Sequence, residues 1–241
     1  MKNTHRWNTQ EFEKRVEDLN RAELCNLYPS ESWCLYRVLP NCKDVVDLGC
    51  GNGAKASIAR GISSQTQYTG VDHQTAVIEK AKNMYPYARF FSDDMEGFAN
   101  EMEPVDCVMS WSVIKSFSNW REIIGVMLEK AKKYVICDIR VANTDREVFD
   151  DKVCWADYGG MRGPIMLMNY PTFKKGLMQF QNQLKKIEVV GYQSDWGSYV
   201  HLKGSEKEFF LITCVLIKKN TNVSNKTDCE VYEQLPEKLH I

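Results

Sequence analysis

The residues with the clearest chemical potential lie between positions 45 and 53, Val45-Val46-Asp47-Leu48-Gly49-Cys50-Gly51-Asn52-Gly53. An apolar run ends there in three glycines within five residues, so the backbone can turn tightly and approach a ligand with no Cβ in the way. A helix beginning at this point would present its first N–H groups to the same ligand. Asp47 sets a carboxylate beside the loop, which would repel a phosphate and accept hydrogen bonds from an ammonium group. Two more carboxylates recur in similar places. Asp72 closes the run Tyr68-Thr69-Gly70-Val71, 21 residues after Gly51, where it suits the paired hydroxyls of a sugar. Asp93 closes Phe90-Phe91-Ser92, where it could accept from an exocyclic amine. Any one of them could instead cap a helix. Three in successive strand-to-helix turns favour a shared ligand.

The glycines alone do not decide which ligand. Gly49, Gly51 and Ala54 also satisfy the dinucleotide fingerprint G-x-G-x-x-G/A. Asp47 discriminates, because its charge opposes a pyrophosphate and fits a zwitterionic or cationic group.

Groups that could move a proton or grip a substrate are scattered further along. Lys115 follows the fourth apolar run and could be lowered in pKa by burial, against the competing reading of a solvated loop residue. His201 sits in the turn Gly197-Ser198-Tyr199-Val200-His201, which could reach the pocket or the opposite edge of the sheet. Asp138 and Arg140 leave the fifth run toward the same edge, Asp138 as a loop cap and Arg140 as a substrate contact. The segment from Cys154 to Arg162 holds Trp155 and Tyr158 as walls, Asp157 and Arg162 as polar contacts, and two glycines that would let it move. It reads as a substrate cover or as a surface loop packed on the core. Trp33 and Tyr36 are candidates for a lid from the N-terminal helices, or for ordinary packing.

These residues need elements to hold them. Residues 10–27 carry Phe12, Val16 and Leu19 at helical spacing, and Ser30 caps a second short helix that Pro40 stops. From residue 44 short apolar runs, Asp44–Leu48, Gln67–Val71, Arg89–Phe91, Val105–Ser110 and Tyr134–Asp138, alternate with helical patterns near 53–63, 75–85, 95–102 and 120–132. That alternation means βαβ units and a parallel sheet covered on both faces. Residues 141–170 lack a period and read as a long loop, which in a compact domain is usually functional. A helix near 172–185 follows, then two runs, 186–192 and 208–217, that suit an antiparallel hairpin joined by a polar turn. Residues 219–241 read as a loosely held polar tail. The division is N-terminal helices over 1–43, one domain over 44–218 with a cover near 141–170, and the tail.

Composition bounds the function classes. The 241 residues hold 31 Lys plus Arg against 32 Asp plus Glu, so a protein that coats nucleic acid is disfavoured. Lysine pairs at 132–133, 174–175 and 185–186 read as solvated faces. Nine scattered cysteines with no C-x-x-C pair read as reduced, buried thiols, with neither a disulfide framework nor a metal site. The N-terminus shows no apolar signal region, and the longest apolar stretch, 209–217, is far shorter than the roughly 20 residues of a membrane span. The expectation is a cytoplasmic protein, monomeric or homodimeric, with a small-molecule substrate and no nucleic-acid or membrane partner.

The segment from about 44 to 139 resembles the core of class I S-adenosylmethionine-dependent methyltransferases. Its motifs are D-L-G-C-G-N-G at 47–53, G-V-D-H-Q at 70–74, S-D-D-M at 92–95 and D-C-V-M-S-W-S-V at 106–113, followed by I-K-S-F-S-N-W. The resemblance implies a Rossmann-like, doubly wound α/β fold, with a seven-stranded, mostly parallel sheet, an antiparallel C-terminal strand and helices on both faces. It also implies S-adenosylmethionine as cofactor. Asp47, Gly49, Cys50, Gly51, Asn52 and Gly53 would flank the methionine part, Asp72 the ribose, His73 the adenine face, and Asp93 the adenine amino group. Asp94 and Met95 would line the ring, and Ser110 and Trp111 the sulfonium. Lys115 and Ser116 depart from the His-His that many relatives carry, and Ser92 from a common Gly. The fourth motif lacks the N/D-P-P-Y of enzymes that methylate bases. The implied activity is methyl transfer to an O or N atom of a small polar molecule. The alternative is a non-catalytic cofactor-binding subunit that scaffolds a partner.

Overall fold

Five strands build the parallel half of one sheet: β1 (Asp44–Leu48), β2 (Gln67–Asp72), β3 (Arg89–Ser92), β4 (Val105–Ser110) and β5 (Ala131–Ala142). The computed structural model describes residues 22–157, 162–194, 200–203, 209–219 and 228–239. Helices α1 (Pro29–Val38), α2 (Ala54–Ile62), α3 (Thr75–Met84), α4 (Met95–Glu101), α5 (Trp120–Lys130) and α6 (Tyr170–Met178) complete the α component. The remaining strands are β6 (Cys154–Asp157), β7 (Arg162–Pro164), β8 (Leu184–Ser194), β9 (Val200–Leu202), β10 (Phe209–Lys218) and β11 (Glu230–Gln234).

The main sheet has eight strands in the order β11-β8-β10-β5-β4-β1-β2-β3. Every neighbouring pair is parallel except those of β10, which runs antiparallel to both β5 and β8. The order reverses between β1 and β4, so the loops after these two strands diverge and leave a crevice at their carboxyl ends.

Apolar spacing fixes which helix covers which face. In α5, Trp120, Ile123, Ile124, Met127 and Leu128 recur at helical intervals and are buried. They join Phe173 and Leu177 of α6 in one core, while α1, α2 and α3 bury Leu35, Ile58, Ile78 and their neighbours in the other. Caps set the ends. Asp94 accepts from the Glu96 and Gly97 amides at 2.9 and 3.1 Å, and Asn169 accepts from the Thr172 amide at 2.8 Å.

Several expectations need correction. Ser30 does not cap α1. It lies inside the first turn, fully buried, and its hydroxyl accepts from that of Thr213 at 2.8 Å, while Glu31 bonds the Tyr28 amide at 2.9 Å. The tail is not loose throughout, because β11 pairs with β8 and brings the sheet from seven strands to eight. Residues 141–170 are not one loop. β5 runs on to Ala142, and β6, β7 and β9 form a second antiparallel sheet, order β7-β6-β9. Its inner face, Cys154 and Ala156, packs with Ile165, Leu167, Ala142 and Phe209. β8 and β10 pair as expected, with β9 between them in the chain. The helix expected near 172–185 ends at Met178. Of the helix expected over 10–27, residues 10–21 lie outside the described residues, and Leu24–Asn26 is a short 3-10 turn.

Gly176 tests the packing of α6. A Cβ there would stand 2.2 Å from the tip of the fully buried Trp120 ring. Gly176→Ala should therefore destabilise the fold by ~1–3 kcal/mol despite the better helix propensity of Ala. The check is the urea midpoint, at an unchanged slope.

Candidate functional site

The turn after β1 is built from left-handed backbone. Gly49, Gly51 and Gly53 have φ of 80°, 55° and 75°, a region that side chains rarely adopt. Space is also short: a Cβ on Gly49 would lie 2.4 Å from Val113, and one on Gly53 2.6 Å from Phe90. The β2 side holds the turn. The Gly49 and Cys50 amides donate to the Val71 carbonyl at 2.8 and 3.0 Å, and the Gly51 amide donates to Asp72 Oδ2 at 3.0 Å. Asp72 Oδ1 accepts from the Gln74 amide at 3.1 Å and lies 3.4 Å from His73 Nδ1. Asn52 turns inward and accepts from the Ala54 amide at 3.2 Å. Cys50 fills the space above Gly70, where a Cβ would be 2.7 Å from its sulfur.

Asp47 is 1% exposed, with Oδ2 accepting from the Tyr68 hydroxyl at 2.6 Å. Burial pushes its carboxyl up to about 7, opposed in part by the Tyr68 bond and the Lys55 charge. Its Oδ1 is buried without a partner, as are His73 Nε2, Gln74 Oε1 and Trp111 Nε1. These four atoms belong to the carboxyl ends of β1, β2 and β4, the crevice that the topology opens. Buried polar atoms are ordinarily bonded. Together they form a set of one carboxylate oxygen, one amide oxygen and two ring nitrogens. Lys55, at the start of α2, bonds Glu31 of α1 at 3.2 Å and stands 5.3 Å from the Trp111 ring centroid.

The third station is more open. Asp93 is exposed and accepts from the Asp94 amide at 2.7 Å, Asp94 is spent on capping α4, and Met95 begins that helix. Met95 also lines a cleft of about 220 Å³ between α4 and α5, with Leu48, Ala99, Ile123 and Val126. That cleft touches the crevice only through Leu48 and Met95, so the orphaned polar atoms mark the site better than the cleft does. Ser110 is fully buried and donates to the Leu48 carbonyl at 2.8 Å, so its hydroxyl ties β4 to β1.

Beyond Ser110 the chain makes its second left-handed turn. Ser112 has φ 61°, a conformation that costs a non-glycine residue roughly 1–2 kcal/mol. Its amide donates to Asp138, and the Lys115 ammonium donates to its carbonyl and hydroxyl at 2.8 and 2.7 Å. Lys115 and Asp138 are 3% and 6% exposed. Burial raises the Asp138 carboxyl, and Lys115, the Ser112 amide and Arg140 oppose that rise. Lys115 is thereby buried with its ammonium bonded to Ser112, so of the two readings the sequence offered, a base or a solvated loop residue, the second does not hold. Arg140 is buried beside the same carboxylate.

The cover residues meet one another. His201 is exposed and stacks on Trp155, ring centroids 5.3 Å apart, and the Arg162 guanidinium lies 3.9 Å from the Trp155 centroid. Trp155 alternates with Cys154 and Ala156, so the group lies on the outer face of the small sheet. Tyr158 lies outside the described residues. Trp33 is no lid over the glycine turn, since it stacks on Tyr232 of β11 at the far edge of the sheet. Tyr36 is half exposed. What α1 brings to the crevice is Glu31. Sequence reasoning assigned no role to Glu31, Lys55, Gln74 or Ser112, and of these only Gln74 and Ser112 had a signal, their places inside the second and fourth motifs.

Comparison with known proteins agrees with this geometry. Residues 45–134 match the family model described as a methyltransferase domain. Protein 235L of Invertebrate iridescent virus 6, whose name assigns it provisionally to the methyltransferases, is 29% identical over 106 residues, 42% of this chain. The match spans 39% of that protein's length. Among solved structures, the N-terminal domain of EvdMO1 with SAH bound aligns at TM-score 0.60 and 12% identity, over 87% of this chain and 97% of that one. The plantazolicin methyltransferase BpumL, in complex with SAH, aligns at 0.57 and 13%, covering 90% and 93%. CrArsM of Chlamydomonas reinhardtii, an arsenic(III) S-adenosylmethionine methyltransferase, aligns at 0.57 and 15%, covering 84% and 74%.

Asp47 makes stability depend on pH. An unfolded chain loses this proton near pH 3.8, whereas folded Asp47 holds it to about 7, so rising pH favours unfolding across that window. Asp47→Asn should differ least from the parent at pH 4 and gain on it progressively up to pH 7. Urea midpoints measured across that range check this.

Proposed function

We propose that this chain, whose residues 45–134 match a methyltransferase-domain model, is a class I S-adenosylmethionine-dependent methyltransferase that transfers a methyl group from that cofactor to an O or N atom of a small polar molecule. The observation that carries the reading is the set of orphaned buried polar atoms around a glycine turn pinned by Asp72. When bound, S-adenosylmethionine supplies a methyl group already activated on a sulfonium.

The chain's own residues then have limited tasks. Asp47 Oδ1 would accept from the ammonium of the methionine part, and the Gly49, Gly51 and Gly53 backbone would let that part approach closely. Asp72 holds the turn and presents its remaining lone pairs to the ribose hydroxyls. His73, Gln74, Asp93 and Met95 would border the adenine, and Trp111 would wall the reacting centre. Transfer is an in-line displacement, so the protein's work is aligning the nucleophile and excluding water. Arg140, Trp155, Arg162 and Tyr158 would meet the acceptor, with His201 in reach of the same cover. Nine free thiols suit a reducing compartment, and we place the protein in the cytoplasm. Among the described residues no helix is long and apolar enough to cross a membrane.

Calorimetry with S-adenosylhomocysteine tests the cofactor. Binding should release a proton from Asp47 as the ligand's ammonium arrives, so affinity should rise with pH until about 7 and then level off. No heat at millimolar ligand would refute the reading. Asp72→Ala removes both the ribose acceptor and the Gly51 clamp, so the affinity should fall by about tenfold or more. An unchanged Kd would take Asp72 out of the site.

A further inference from the structure

Ser112 stands where a side chain is costly. Among the described residues it is the one non-glycine residue with positive φ, and glycine is the default for that backbone. The turn itself does not call for a hydroxyl. Strain of this kind persists where the surroundings enforce it, often at functional sites. Here two buried groups enforce it: Asp138 accepts from the Ser112 amide, and Lys115 donates to its carbonyl and hydroxyl.

The direction of the Lys115 bond matters. An ammonium has only protons to give, so Ser112 Oγ is the acceptor and its own O–H is directed elsewhere. Ser112 is exposed, and no acceptor for that proton occurs among the described residues. Its neighbours place it on the rim of the glycine turn. Trp111 is 8% exposed with its indole N–H unbonded, and Val113 packs so closely on Gly49 that a Cβ there would lie 2.4 Å away.

The charges behind Ser112 favour a negative partner. The Asp138 carboxylate is bonded to the Ser112 amide and feels the positive charges of both Lys115 and Arg140. Of the other carboxylates near Asp138, Glu31 is engaged by Lys55 at 3.2 Å, and Asp47 is buried with its carboxyl pushed up to about 7. A hydroxyl that accepts from an ammonium is polarised into a better donor, and its strongest acceptor is an anionic oxygen.

We infer that the Ser112 hydroxyl, backed by Lys115 and fixed by Asp138, anchors an anionic oxygen of the methyl acceptor, so the substrate is a small carboxylate or phosphate that also carries the O or N nucleophile. This rests on the methyltransferase reading above and names the substrate class of that site. Lys115 is then a positioning residue, and Ser112 touches the substrate.

The test is an assay of S-adenosylhomocysteine release over a panel of small hydroxy acids, amino acids and phosphorylated alcohols and amines. Each is paired with its neutral amide or dephosphorylated form. Turnover should be confined to the anionic members, and the carboxylate and phosphate arms separate the two sources of the charge. Ser112→Gly suits the backbone and removes only the anchor. With the best acid it should raise KM about tenfold or more while kcat falls far less, with S-adenosylhomocysteine affinity unchanged. Absence of S-adenosylhomocysteine binding to the parent protein would end the methyltransferase reading. Binding with turnover of neutral members, with turnover of no acid, or with an unchanged KM in Ser112→Gly would overturn the anchor alone.

Discussion

Left-handed backbone at the carboxyl ends of β1 and β4 is held in place, in both cases, by a carboxylate from the next strand. Asp72 at the end of β2 accepts from the Gly51 amide, and Asp138 in β5 accepts from the Ser112 amide. β2 lies beside β1 and β5 beside β4, so each carboxylate reaches its turn across one strand spacing. A hydrogen bond to a charged group contributes roughly 1.5–3 kcal/mol. That is enough to offset the roughly 1–2 kcal/mol of left-handed strain at a serine. The strand order reverses between these two turns, so the restraints that shape them also set the walls of the crevice.

The same crevice concentrates buried charge. Glu31, Asp47, Lys55, Lys115, Asp138 and Arg140 are all under 9% exposed, and they come from α1, β1, α2, the segment after β4, and β5. Ion pairs in such places seldom contribute net stability, because desolvation offsets the attraction, and apolar replacements are often at least as stable. A core selected for stability alone would not hold this set. Asp47 shows the cost most plainly, since its ionised form is resisted until the pH reaches about 7. A ligand ammonium would supply the compensating charge that the folded chain does not place directly on its free oxygen.

The central sheet was legible because each of its strands is an apolar run bounded by a helix of clear period. The runs at 44–48 and 105–110 coincide with β1 and β4, those at 67–71 and 89–91 stop one residue short of the ends of β2 and β3, and that at 134–138 covers only the middle of β5. β11 was not legible. Its sequence, Glu-Val-Tyr-Glu-Gln, is polar, lies at a sheet edge, and is defined only by pairing with β8 some forty residues away. The second sheet escaped for a similar reason. Its inward residues Cys154 and Ala156 are too few to set a period, and its strands find one another across long stretches of chain. A turn read as polar connection therefore contains β9.

The candidate site divides along the same line. Gly49, Gly51, Gly53, Asp47 and Asp72 lie in consecutive strand-to-helix turns, so a motif of a few residues announces each one. Ser112 takes its meaning from Asp138, 26 residues further on, and from a backbone angle that its letter does not reveal. Glu31 reaches Lys55 from a helix outside the motifs. Trp155, Arg162 and His201 come from three different strands, and only pairing brings them onto one face. Local turns thus build the crevice at the carboxyl ends of β1 and β4, whereas the Trp155 group is assembled by long-range pairing. A sequence read by local pattern can therefore reach the first without the second, because the contacts of the Trp155 group do not exist until its strands have paired.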